Sequence, residues 1–290
     1  MRAGALEAAL FPAVGGSLAW LAYDGADLLR RAPQGSVDPL AMASFPLVPY
    51  ANRIADGRFD FDGQCYQLPR NFGDHPHTIH GNGWQRGWSV AEQSKDEARL
   101  ALDHRADAHW PWDYRAEQLV TLTPDAIIMT LMLTNNGDRP MPAGLGFHPY
   151  FVADDHTGMQ FATTMMWQAT PDMLPERQVP ADAMGDWARG GAVRGKSLID
   201  NVYGGWDGVA TVTRGDGLRL KLSAQGADWL HVFRPPDSAD FCLEPVSHMP
   251  DAINRDGAMT IVESGATIQL SMAIVITRCD EALPNSDRIA

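Results

Sequence analysis

Three residues of this chain combine a side-chain type and a setting that suit acid–base chemistry. Glu244 follows the apolar run Phe241-Cys242-Leu243 in "DFCLEPVSHMPDAIN". An unpaired carboxylate is costly to bury, so a Glu at the end of an apolar strand needs a reason. His148 is a single imidazole inside the apolar stretch "GLGFHPYF". His80 precedes Gly81-Asn82-Gly83, and glycines beside a polar side chain let a ligand approach the backbone closely. Singly, each has an ordinary structural reading: a satisfied core histidine, or a Glu capping backbone N–H groups. Jointly they make one carboxylate and two imidazoles in apolar or Gly-rich surroundings. The chain carries no nucleophilic Ser or Cys motif and no phosphate loop. That set suits proton transfer without a covalent intermediate.

His80 also ends a cluster with His75 and His77 in "HPHTIH". A metal centre on a β-scaffold would want a nearby Glu and a later His. The next Glu is Glu92, beyond Trp84 and Trp88, so no metal site is expected, and His75 and His77 read as solvated loop or pocket-rim residues. "SFPLVPYANRI" is stiffened by Pro46 and Pro49 and presents Asn52 and Arg53. Arg53 is a fork for hydroxyls or a carboxylate, or a surface ion pair. In "SLIDNVYGGWDG", Asp200 and Asp207, the latter beside Trp206, are candidates to hold ligand hydroxyls; turn chemistry is the alternative for Asp207.

Elements of period two must position these groups. "GRFDFDGQCYQLP" reads as a hairpin around Asp62-Gly63. "RAEQLVTLTPDAIIMTLMLTNNG" has two arms around Thr123-Pro124-Asp125. "DGVATVTRGDGLRLKLSA" turns at 214–217, and "ATIQLSMAIVI" alternates cleanly. The stretch Thr170–Ile199, rich in Pro, Gly, Asp and Met, reads as an irregular excursion with room for a short helix. Many short strands with turn signals predict an all-β antiparallel sandwich or barrel. With no repeat and no linker, residues 1–280 read as one domain and 281–290 as a frayed tail.

Of the 290 residues, 45% are hydrophobic and 20% charged, ordinary for a soluble globular protein. The net charge of -13 argues against nucleic acid or an anionic membrane as the main partner, since both need a basic face. Three scattered cysteines, Cys65, Cys242 and Cys279, lack metal-ligand spacing and suggest a reduced, cytoplasmic protein.

The series "PYANRIADGRFDFDGQCYQL", "HTIHGNGW", "GFHPYF", "LIDNVYGGWDG" and "CLEPVSHMPDAIN" resembles the aldose 1-epimerase (galactose mutarotase) family, with the motifs in that family's order from about residue 45 to 255. The resemblance implies a large antiparallel β-supersandwich and a cofactor-independent isomerase acting on a free aldose, as monomer or homodimer. It assigns Glu244 as general base at the anomeric hydroxyl and His148 as general acid at the ring oxygen. His80 would hydrogen-bond near that oxygen, and Arg53 and Asp200 would grip hydroxyls. Asn52, His75 and Trp206 are further expected contacts, and Trp84 or Trp88 could offer the sugar an apolar face. Three alternatives stay open: a hexose-6-phosphate 1-epimerase using Arg70 and Arg86, a catalytically silent carbohydrate-binding module, and a metal enzyme built on the histidine cluster. The extra His75 and His77, and Asn82 where galactose-type members commonly have Gly, bear on which sugar is used.

Overall fold

A computed structural model describes residues 1–278; Cys279 and the expected tail 281–290 lie outside the described residues. Two large antiparallel sheets, of 12 and 9 strands, make up the body. They are joined by long loops and four single 3-10 turns. This is the expected β-supersandwich.

The 9-stranded sheet contains the hairpins legible in the sequence. Tyr114–Leu122 pairs with Ala126–Asn135 through the Thr123-Pro124-Asp125 turn, and Val209–Thr213 pairs with Leu218–Gln225. Thr267–Arg278 joins the two hairpins. Successive side chains on a strand point to opposite faces, and Tyr114–Leu122 alternates buried and half-buried residues along its whole length. Its inward face, with Leu131, Leu133, Leu220, Leu222, Leu270 and Ile274, meets Leu18, Leu21, Leu230, Val232 and Leu243 of the other sheet in one apolar cluster. The Arg58–Phe61 and Gln64–Gln67 hairpin also forms as expected, with Asp62 and Gly63 both at positive φ in the turn.

The 12-stranded sheet positions the chemistry. Tyr150–Val152, Asp240–Val246, Trp229–Arg234 and Ile199–Gly204 lie side by side in that order. Val232 and Leu243 face the core. The same alternation turns His231 and Glu244, a directly opposed cross-strand pair, to the other face. Glu244 therefore sits inside its strand, not at its end.

The excursion Thr170–Ile199 differs from expectation. It holds no helix but contributes Pro175–Pro180, an edge strand bulged against Met165–Ala169, and the short strand Gly191–Ala192. Pro is tolerated at an edge, where its missing N–H faces no partner.

Core position decides cost in such a sheet. Leu131→Ala, at a fully buried site, is expected to lower unfolding free energy by about 2–5 kcal/mol. Ile128→Ala, at an exposed site of the same strand, should cost far less; urea denaturation of the two variants checks the contrast.

Candidate active site

The outward face of the 12-stranded sheet and two loops enclose a cavity of about 270 Å³. Asn52, Arg53, His80, His148, Asp200, His231 and Glu244 supply its polar lining; Leu40, Phe72, Ile79, Trp84, Tyr150 and Phe233 supply the rest.

Each polar group is aimed by local backbone chemistry. Pro46–Leu47 pairs with Gly146–Phe147, and the Phe45 carbonyl accepts the His148 N–H at 3.1 Å. The His148 ring is then held between Phe45 and Tyr150, both 4.7 Å away between centroids. Arg53–Ile54 pairs with Thr78–Ile79, which brings Asn52 beside His80. Both adopt positive φ, 56° and 61°, uncommon for residues other than glycine. They lock each other reciprocally: the His80 N–H donates to the Asn52 carbonyl at 2.8 Å, and the Asn52 N–H donates to His80 Nδ1 at 3.0 Å. A neutral His80 accepting at Nδ1 carries its proton on Nε2, which is left for a ligand. Gly81 must be glycine here, because a Cβ would lie 2.3 Å from the Val48 carbonyl oxygen.

Charge is arranged in two units. Asp200 accepts from His231 Nε2 at 2.7 Å and from Arg53 Nη2 at 3.3 Å. Burial alone would raise its pKa, but the His231 hydrogen bond and the Arg53 charge outweigh burial and hold it at about 2. The Asn52 side-chain oxygen accepts from Arg53 Nη1 at 3.2 Å and steadies that guanidinium. The second unit is Glu244 and His148, with Oε1 and Nε2 3.4 Å apart. Desolvation pushes the Glu244 carboxyl well up, and the Asp200 charge adds to the effect. Desolvation, then the nearby His231, pulls His148 down to about 3. His80 is lowered for the same reason, burial first and His148 second. Burial thus favours the neutral form of both members of the pair.

The structure brings Glu244, His148, His80, Arg53, Asp200 and Asn52 together, as expected. His75 stays at the rim, half-buried, its ring 6.0 Å from that of the cavity residue Phe72. Three expectations need correction. His77 is not solvated: it is buried, accepts the Asp56 N–H at Nδ1, and places Nε2 3.0 Å from the Asp172 carboxylate. The histidine cluster consequently does not converge on one point. Trp206 does not line the cavity; its indole N–H donates to the Val209 carbonyl at 2.8 Å and its ring joins the main core. Trp88 is likewise a core residue, whereas Trp84 lines the cavity. Asp207 accepts the Val209 N–H, the turn role. His231, in "WLHVFR", carries no local signal of its own: a single histidine in an apolar run is an ordinary core residue.

Fold and site together define a galactose mutarotase-like β-sandwich with an acid–base cavity. The aldose 1-epimerase family model matches residues 1–275, and the chain belongs to that family. The Escherichia coli (strain K12) protein YphB, itself uncharacterized, is 31% identical over 253 residues, 83% of this chain and 85% of its own. The aldose 1-epimerase of the same organism is 29% identical over 127 residues, 42% of this chain and 36% of its own. A crystal structure from Escherichia coli K12, described as a candidate aldose 1-epimerase, superposes with a TM-score of 0.89 at 27% identity, covering 96% of this chain and 98% of its own.

Asp200 yields a stability prediction with a definite sign. Its pKa is depressed in the folded state, from 3.8 to about 2. Its contribution, about 2 kcal/mol, is fully present above about pH 4 and is lost as pH falls through about 2. Asp200→Asn is expected to be less stable than wild type at neutral pH. The gap measured by chemical denaturation should narrow as pH drops below about 4.

Proposed function

We propose that this chain interconverts the α and β anomers of a free aldose. The observation that carries the reading is the Glu244–His148 pair, 3.4 Å apart at the floor of a cavity it shares with His80. Glu244 takes the proton of the anomeric hydroxyl, and His148 delivers one to the ring oxygen. The ring opens to the aldehyde, the C1–C2 bond rotates, and closure on the other face reverses the two transfers. His80 Nε2–H hydrogen-bonds near the ring oxygen. Asp200, Arg53 and Asn52 bind hydroxyls, and Trp84 and Phe233 cover the C–H side of the sugar. The bond between C1 and the ring oxygen breaks and re-forms as the two protons move, and the atoms of the sugar are conserved. The described residues act as one unit, and the ligand is a small neutral sugar.

Ring opening uses Glu244 as base and His148 as acid. Closing uses each in the opposite sense, so one carboxyl–imidazole pair serves both directions.

The sugar-phosphate alternative has less support. Arg86 is engaged by Asp107 at 2.7 Å, Arg70 is exposed, and neither lines the cavity. The cavity's lining guanidinium, Arg53, is already paired with Asp200. A dianionic phosphate would find no spare cation there.

Polarimetry tests the reading. Fresh α-D-galactose and α-D-glucose should relax to their equilibrium rotation faster with enzyme, and glucose 6-phosphate should gain little. No acceleration on any free aldose would overturn it. His148→Asn and Glu244→Gln are each expected to cut turnover by about 10²–10⁴ with the thermal melt retained, while His75→Ala stays close to wild type. Burial raises Glu244 and lowers His148, so the pH profile should be displaced from a bell set by the ordinary carboxylate and imidazole pKa values. A bell at those ordinary values would contradict the desolvated pair.

A further inference from the structure

Cys242 has no part in this chemistry, yet it shares a strand face with Glu244, two residues away, and lies opposite Tyr150. One ligand atom from each of His148, Cys242 and Glu244 falls within 4.8 Å of the others, and all three side chains are buried. The His148–Glu244 separation, 3.4 Å, is the edge of a coordination tetrahedron: bonds of about 2.0–2.3 Å to a central ion space ligand atoms roughly 3.3–3.8 Å apart. Two buried polar atoms of the trio, His148 Nδ1 and Glu244 Oε2, have no hydrogen-bond partner among the described residues. Elsewhere the chain satisfies its buried imidazoles. His77, His104 and His248 each have both ring nitrogens engaged. Within the trio, His148 and Glu244 each keep one buried atom unpartnered, besides the Nε2 and Oε1 atoms that lie 3.4 Å apart.

We propose that His148, Cys242 and Glu244 form a three-ligand site for a soft divalent cation, zinc or cadmium, whose binding shuts off the acid–base pair. Thiolate and carboxylate together balance the charge of the ion, and the imidazole binds neutral, so the buried assembly has no net charge. The site binds the ion with Cys242 as thiolate, Glu244 as carboxylate and His148 as neutral imidazole, and the protons these ligands carried go to solvent. Affinity therefore rises with pH. The thiolate favours zinc and cadmium over magnesium and calcium, which take oxygen ligands. His148 and Glu244 line the cavity, so the site borders it. The ion occupies the lone pairs that Glu244 and His148 need for proton transfer. The inhibitory effect rests on the epimerase reading; the binding does not.

The test uses chelator-treated full-length protein carrying Cys65→Ser and Cys279→Ser, which leaves Cys242 as its sole thiol. Titration with cadmium should develop the ultraviolet charge-transfer band of a cadmium–thiolate bond at one ion per chain, and a further Cys242→Ala change should abolish it. In polarimetry, zinc should suppress turnover reversibly, chelator should restore it, and magnesium should do nothing. Cys242→Ala should keep basal turnover and need at least about tenfold more zinc for the same suppression. Cys242→Ser, which keeps the side-chain shape, serves if the alanine variant folds poorly. Absence of the thiolate band, or equal zinc sensitivity with and without Cys242, overturns the proposal. A band in a protein that accelerates no aldose upholds the site and overturns the epimerase reading instead.

Discussion

A carboxyl group buried in the middle of a sheet sets the terms for everything around it. Glu244 is 2% exposed and points away from the main core, between the strands that carry Tyr150 and His231. An ionised, unpaired carboxylate there would be expensive. Burial, with the Asp200 charge near enough to oppose a second negative charge, raises the Glu244 pKa and favours its neutral form, and His148 lies 3.4 Å away. The same desolvation that makes Glu244 costly makes it useful. A buried carboxyl near an imidazole can change protonation state with little solvent reorganisation, the condition for efficient general acid–base work.

Around that group, polar residues separate by how completely they are satisfied. Asn52 and His80 hold each other through two backbone-anchored hydrogen bonds at positive φ. Backbone held in a sparsely populated region persists only when its surroundings over-determine it, and here the cis-acting neighbours are the Val48 carbonyl, the Gly81 turn and the paired strands Arg53–Ile54 and Thr78–Ile79. His77, His104 and His248 are pinned at both nitrogens and act as struts for loops. The imidazoles with capacity to spare, His80 and His148, face the cavity. Rigid struts outside and spare donors inside together fix a cavity geometry that loops alone would leave loose.

Local pattern made much of this legible. The period-two runs and the Asp62-Gly63 turn mark hairpins because side-chain alternation and positive-φ residues are properties of a few consecutive residues. Glu244 stands out because a carboxylate among Phe241, Cys242 and Leu243 violates the apolar pattern. His231 violates "WLHVFR" no more than an ordinary core histidine would; its meaning comes from pairing opposite Glu244, and register between separate strands is not written in either strand. His77 fails for a related reason: its partner Asp172 is 95 residues away. Pro175–Pro180 went unread because an edge strand exposed on both faces shows little apolar alternation.

The cavity also has a charge balance that narrows what it can recognise. Arg53 and Asp200 cancel, and both are about 9% exposed, so little outside charge is needed to keep them paired. Burial favours the neutral forms of Glu244, His148 and His80. The lining thus offers hydrogen-bond donors and acceptors at fixed positions with its guanidinium already paired, while the chain as a whole carries -13. An anionic ligand would be repelled on approach and would meet an Arg53 already committed to Asp200. A cation would be drawn in by the overall field, and it would displace protons to reach the buried donors. The neutral sugar proposed above would meet neither penalty: its hydroxyls would exchange water for Asp200, Arg53 and Asn52, and its C–H face would exchange water for Trp84 and Phe233. By the same field, the charged competitor of such a ligand would be a cation.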